Sequence, residues 1–166
     1  CVRCDCKYLL LFAVTPYYII TANGGRPILT EVQMGLDQYG YINAEVVKTK
    51  GEDGHTYKEV KCEREFYWRK HARLQDFMEE LFVAKTGRPA TELNCYDMEL
   101  TENDVARLEL AWETGYAQNH SEGGLFYGHK TQAQAAKIYL PDDLAFITLA
   151  KKSLAKGQSV MYSCWW

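Results

Sequence analysis

Tyr67-Trp68-Arg69-Lys70-His71, with Arg73 close behind, is the densest chemistry-bearing cluster in the chain. It sets two aromatic ring faces beside guanidinium, ammonium and imidazole groups. Such a set can hold a phosphate or carboxylate through charge-assisted hydrogen bonds while a base or ring stacks on it. Tyr127, in a glycine-flanked stretch further on, supplies another ring. The ligand-binding candidates are therefore Tyr67, Trp68, Arg69, Lys70, His71, Arg73 and Tyr127. The alternative chemistry is catalytic. His71 and His129, joined by the Asp37 carboxylate, would suit general acid–base or metal-assisted hydrolysis of a phosphodiester. Nothing in the spacing of His71, His129 and Asp37 requires that they meet. Without a ligand, the cluster reads as a solvated helix face with Trp68 packed at its base.

Other signatures are missing. There is no G-x4-G-K-[ST] phosphate loop, no G-x-S-x-G elbow and no H-E-x-x-H zinc helix. Cys1, Cys4 and Cys6 form C-x2-C-x-C, but zinc takes four ligands, usually from two knuckles, and no second C-x2-C follows. No metal and no cofactor is expected. Cys62, Cys95 and Cys164 are scattered, which suits a reducing cytoplasm better than a disulfide framework. A buried thiol is the expectation for Cys95.

These side chains need elements to position them. Met34 to Ile42 and Thr56 to Arg64 read as strands that could pair across a long loop with its turn at Lys50 to Gly54. In Tyr67 to Ala84, Leu74, Phe77, Met78, Leu81 and Phe82 follow the spacing of one buried helical stripe. On such a helix Arg69 and Arg73 would share a face. Gly87 ends it and Pro89 blocks continuation. Leu93 to Leu100 reads as a short strand. Thr101-Glu102-Asn103-Asp104 reads as a helix N-cap, and Val105, Leu108 and Trp112 share a face of that helix until Gly115. Gly123 to Gly128 reads as a strand or tight strand-loop. Thr131 to Tyr139 is ambiguous but leans helical. Pro141-Asp142-Asp143 marks the start of a last helix, closed by Gly157 and followed by a strand from Ser159 to Cys164, with Trp165 and Trp166 capping the sheet. The sum is α+β: an antiparallel or mixed sheet of about five strands with two to three helices packed on one face.

The 166 residues suffice for one domain with a core. The formal charge of −3 gives no overall basic field, so nucleic acid is not favoured as a partner, although local basic patches are not excluded by it. With 12 Tyr, 6 Phe and 4 Trp, the aromatic content fits either a core of large side chains or a face that stacks a ring. The apolar run from Tyr8 to Ala22, broken by Pro16, is shorter than a bilayer span requires, and no membrane association is expected.

Met34-Gly35-Leu36-Asp37 followed by Tyr39 resembles the opening of a family of small, uncharacterised phage and prophage proteins that begin "MGLDMY". Tyr67-Trp68-Arg69-Lys70, the cap at Leu100-Thr101-Glu102, and Gly124-Leu125-Phe126-Tyr127-Gly128 resemble that family's YWRK helix entry, acid-containing cap and G-F-F-F-G motif. The ending Val160 to Trp166 resembles members that end "YY-x-S-WW". The resemblance runs in order from Met34 to Trp166. It implies phage origin and the host cytoplasm. It also suggests that residues 1–33 are a translated leader or extension ahead of one α+β domain, 34–166. Family members carry a His two residues before a Trp in the first helix, where this chain has Gln75 and Phe77. The expected function is that of a phage accessory binding protein, for host takeover or counter-defence, engaging a host protein or a nucleotide-like ligand. The alternatives are a hydrolase acting on a phosphorylated small molecule or nucleic acid, and a virion component.

Overall fold

The computed structural model describes residues 35–52, 54–116 and 132–166, side chains of 132–137 excepted. The stretch read as a leader, Met34, and the glycine-flanked segment with Tyr127 and His129 lie outside the described residues. Within Gly35–Trp166 the elements run β1 (Asp37–Ile42), β2 (Glu45–Lys50), β3 (Thr56–Lys61), β4 (Arg64–Arg69) and α1 (Ala72–Thr86). One turn of 3-10 helix (Ala90–Leu93) follows, then β5 (Met98–Leu100), α2 (Glu102–Glu113), α3 (Gln132–Leu154) and β6 (Val160–Trp165). The fold is α+β. The main sheet is antiparallel in the order β4-β1-β6-β5, and β2 and β3 form a separate two-stranded ribbon.

Strand parity decides which side of the main sheet is core. Gln38, Gly40 and Ile42 of β1 stand opposite Trp68, Phe66 and Arg64 of β4, and opposite Cys164, Tyr162 and Val160 of β6. Phe66, Trp68, Val160, Tyr162 and Cys164 are all buried, and the helices pack on this face. Phe146 of α3 meets Phe66 and Trp68 edge-on, at centroid distances of 5.4 and 5.5 Å. It fits only because β1 has glycine beneath it: a Cβ on Gly40 would lie 2.6 Å from the Phe146 ring. The stripe expected on α1 is buried in full, Leu74, Phe77, Met78, Leu81 and Phe82, each such side chain contributing roughly 1.5–3 kcal/mol.

The helix ends show why the segments stop where they do. His71 caps α1 by accepting the Leu74 N–H at Nδ1, and Gly87 closes it in the left-handed region, its N–H bonded to the Val83 carbonyl at 2.8 Å. Thr101 and Asp104 form the capping box of α2.

Several expectations need correction. The first helix begins at Ala72, not Tyr67. Residues Arg64 to Arg69 are strand, so Arg69 and Arg73 do not share a helix face. The alternation Glu65, Tyr67, Arg69 outward against Phe66, Trp68 inward is the period of a half-buried strand, and it outweighs the helical stripe that starts only at Leu74. Strand β1 pairs with β4 rather than with Thr56 to Lys61, which pairs with β2. The last helix runs through Pro141 instead of starting there. Leu93 to Leu100 is a 3-10 turn followed by a three-residue strand. Cys95 is half-buried and disulfide-bonded rather than a buried thiol, while Cys62 and Cys164 are thiols.

Candidate functional site

The aromatic-basic cluster divides between two faces. Tyr67 and Arg69 point to the side of the sheet away from the described helices, Trp68 and His71 to the core. On the outer side Asp37 lies between Arg69 of β4 and Trp165 of β6, and Tyr39 lies between Tyr67 and Ser163. The Tyr67 hydroxyl donates to Asp37 Oδ1 at 2.5 Å, and Arg69 Nη1 donates to the same oxygen at 2.7 Å. Partial burial and the bond to the Asp37 carboxylate raise the Tyr67 pKa above its ordinary value, so the hydroxyl remains a donor. Tyr41, Tyr39 and Tyr67 form a ring ladder across β1 and β4, with centroid separations of 6.2 and 5.4 Å. Tyr67 is 50% exposed and Trp165 49%.

Lys70 joins this outer group through an unusual backbone. Its φ is +59°, the left-handed region that costs a non-glycine residue about 1 kcal/mol or more. Its N–H donates to the Leu36 carbonyl at 2.8 Å, which holds the turn against the segment before β1. The consequence is convergence. A Cβ on Gly35 would stand 2.9 Å from Lys70 Cε, 3.2 Å from Arg69 Nη2 and 3.7 Å from Lys70 Nζ. Two cationic groups thus close over a residue with no side chain. Asp37 engages Arg69 Nη1, while Arg69 Nη2 and Lys70 Nζ have no ion-pair partner among the described residues.

The inner members are engaged differently. His71 is buried, with both ring nitrogens committed: Nδ1 accepts from Leu74, and Nε2 therefore carries the proton it donates to Asp143 Oδ2 at 2.9 Å. Tyr116 donates to that same oxygen at 3.1 Å. Burial and the Asp143 charge push the Tyr116 hydroxyl well above its ordinary pKa. Tyr139 stacks on the His71 ring at 4.3 Å and donates from its hydroxyl to the Arg69 carbonyl at 2.5 Å. Gln38 ties the His71 backbone to Tyr162, which donates to Gln75. Trp68 Nε1 and Asp143 Oδ1 are buried without a hydrogen-bond partner. Arg73 lies apart, its Nη1 donating to the carbonyls of Gly115 and Tyr116.

Of the residues singled out by sequence, then, Asp37, Tyr67, Arg69 and Lys70 come together on the outer face. Trp68 and His71 belong to the core side, and Arg73 braces the end of α2. Asp37 does not meet His71, and His129 and Tyr127 lie outside the described residues. Reading by sequence missed Gly35, Trp165 and Asp143. For Asp143 the local signal pointed elsewhere, to an acid in a helix first turn. Gln38 was findable, since it is a polar residue at the inward parity of a strand whose neighbours Gly40 and Ile42 face core. Among the described residues no group of three or more His, Cys, Asp or Glu is placed to hold a metal ion, and no helix is long and apolar enough to cross a membrane. No protein-family model, curated protein or solved structure matches the chain.

Proposed function

We propose that this is a binding protein whose ligand docks at the edge formed by Tyr67, Arg69 and Lys70, on the face of the sheet away from the described helices, and carries both an anionic group and a flat ring, as a nucleotide does. The observation that carries the reading is the convergence of Arg69 Nη2 and Lys70 Nζ over Gly35. Like charges brought together on a strained backbone favour an anion between them. The half-exposed Tyr67 ring, fixed by Asp37, stands next to them as a stacking surface. Capture is better supported than hydrolysis because His71, the described histidine of the catalytic set, is buried with both ring nitrogens engaged, and Asp37 is held by Tyr67 and Arg69. The motif resemblance to small phage proteins extends the proposal to an accessory factor that sequesters such a ligand, or engages a host protein through this face, in the host cytoplasm.

Titration calorimetry with a panel of nucleoside mono-, di- and triphosphates tests the ligand class. The double variant Arg69→Ala, Lys70→Ala should lose affinity by roughly ten- to a hundredfold, the worth of one or two charge-assisted hydrogen bonds. Its thermal unfolding should stay close to that of the parent, because both side chains lie at the surface. Unchanged affinity, or no binding of any nucleotide by the parent protein, overturns the reading.

A further inference from the structure

The β2–β3 ribbon continues the β1–β4 pair past the end of the main sheet. The ladder runs from Asp37↔Arg69 to Ile42↔Arg64, skips two residues on each strand, and resumes from Glu45↔Lys61 to Lys50↔Thr56. Asn43, at φ +51°, makes the bend. The arm is anchored at its root, where the Ala44 N–H bonds to the Ser159 carbonyl at 3.2 Å and the Glu63 N–H to the Ile42 carbonyl at 3.0 Å. Beyond the root β2 and β3 pair with each other and with no other strand among the described residues, and neither has a buried residue. A two-stranded ribbon is marginal in water by itself.

Its charges are sorted by face. Val46, Lys48 and Lys50 share one side with Val60, Lys58 and Thr56, while Glu45 and Glu59 are on the other with Val47, Thr49, Tyr57 and Lys61. Lys48 stands directly opposite Lys58, with Lys50 next on the same face. Like charges in that register destabilise a ribbon. All three lysines are exposed, and none forms an ion pair with a described residue.

We infer that this lysine face is a nucleic-acid-binding arm that enters the major groove of a duplex. A two-stranded ribbon has the width the groove admits. Lys48 and Lys50, two positions apart, project at about 6.8 Å spacing, about twice the 3.4 Å axial rise per phosphate of one strand. The Thr56 hydroxyl, opposite Lys50, adds a donor suited to phosphate. A polyanion also relieves the Lys48–Lys58 repulsion, whereas the body of the protein, formally acidic overall, contributes none of this attraction. The arm is independent of the ligand face around Arg69 and goes beyond it.

Fluorescence anisotropy of a labelled duplex with the full chain at low salt tests the inference. Three lysine contacts predict a slope of log K against log salt of about −2.7. Lys48→Glu should weaken duplex binding at least tenfold. The same change faces Lys58 with an opposite charge, so the melting temperature should hold or rise, which separates lost binding from lost fold. Lys58→Glu should behave in the same way. The inference is overturned if the parent does not bind duplex, if either variant binds as well as the parent, or if polyglutamate binds the arm and duplex does not, which would make the partner an acidic protein.

Discussion

Asp37 and Asp143 are built alike and do opposite things. Each uses one carboxylate oxygen to accept a tyrosine hydroxyl and a nitrogen donor: Tyr67 and Arg69 at Asp37, Tyr116 and His71 at Asp143. At Asp37 the carboxylate is itself only 10% exposed, but its cation is 42% exposed and the ring beside it stands half in solvent. At Asp143 both partners are 2% exposed and a second ring, Tyr139, covers the imidazole. The same donor set thus stays open to solvent at one site, where the proposed ligand would dock, and is sealed into the architecture at the other. In the core, each hydrogen bond prevents a dry, unsatisfied donor. At the surface, water replaces a lost bond at little cost, and the group is free to trade partners with a ligand.

The largest effect should come from the buried triad. Asp143→Ala strands the His71 Nε2–H and the Tyr116 hydroxyl, for which the structure records no other acceptor among the described residues. The expected loss is about 3 kcal/mol, the cost of two unsatisfied buried donors. Chemical denaturation would read it directly. A loss well below 1 kcal/mol would mean that water enters the site, and the contrast with Asp37 would fail.

Asp104 is the intermediate case, a 7%-exposed carboxylate paired to a Lys85 that is 29% exposed. Burial alone would raise its pKa, but the hydrogen bonds that its carboxylate accepts from Lys85 and from the Thr101 backbone N–H, within the Thr101 cap, outweigh that, and the net shift is downward. A folded pKa below the unfolded value of 3.8 means that this stabilisation is fully present above that value and lost as pH falls through the lower, folded one. Lys85→Met should cost about 1–2 kcal/mol at neutral pH and flatten the acid limb of the stability profile. An acid limb as steep as the parent's would assign the shift to the Thr101 cap alone.

The difference between the two triads explains how far sequence reasoning reached. Local signals worked where a local force decides. The α1 stripe, the Thr101 cap and the stops at Gly87 and Gly157 follow from side-chain period, capping and left-handed backbone, and they stand in the structure. Arg69 and Lys70 read as helical by sequence, because apolar spacing further along extends back over an alternating strand, and the structure puts Arg69 on a strand and Lys70 in the turn after it. Asp143 was invisible as a site. Its partners lie 27 and 72 residues away, and only the packing of α3 against the junction of β4 with α1 and the end of α2 brings them together. The Lys48–Lys58 opposition was equally hidden, since it depends on the register of a ribbon assigned to a different pairing.

The smallest expected effect gives the sharpest comparison, since it removes one oxygen atom from each triad. Tyr116→Phe deletes a buried donor to Asp143 and leaves the carboxylate, which already has an unpartnered oxygen, with His71 alone. It should cost about 1–2 kcal/mol. Tyr67→Phe deletes the equivalent donor to Asp37, but Arg69 remains and water can take the vacated place, so the expected cost is below about 0.5 kcal/mol. The phenyl ring still offers its face, so ring stacking should survive, while Asp37 no longer fixes its orientation. Parallel denaturation of the two variants measures the gap. If Tyr67→Phe proved as costly as Tyr116→Phe, the outer triad would be structural too, and the free surface for a ligand would shrink to Arg69 Nη2 and Lys70.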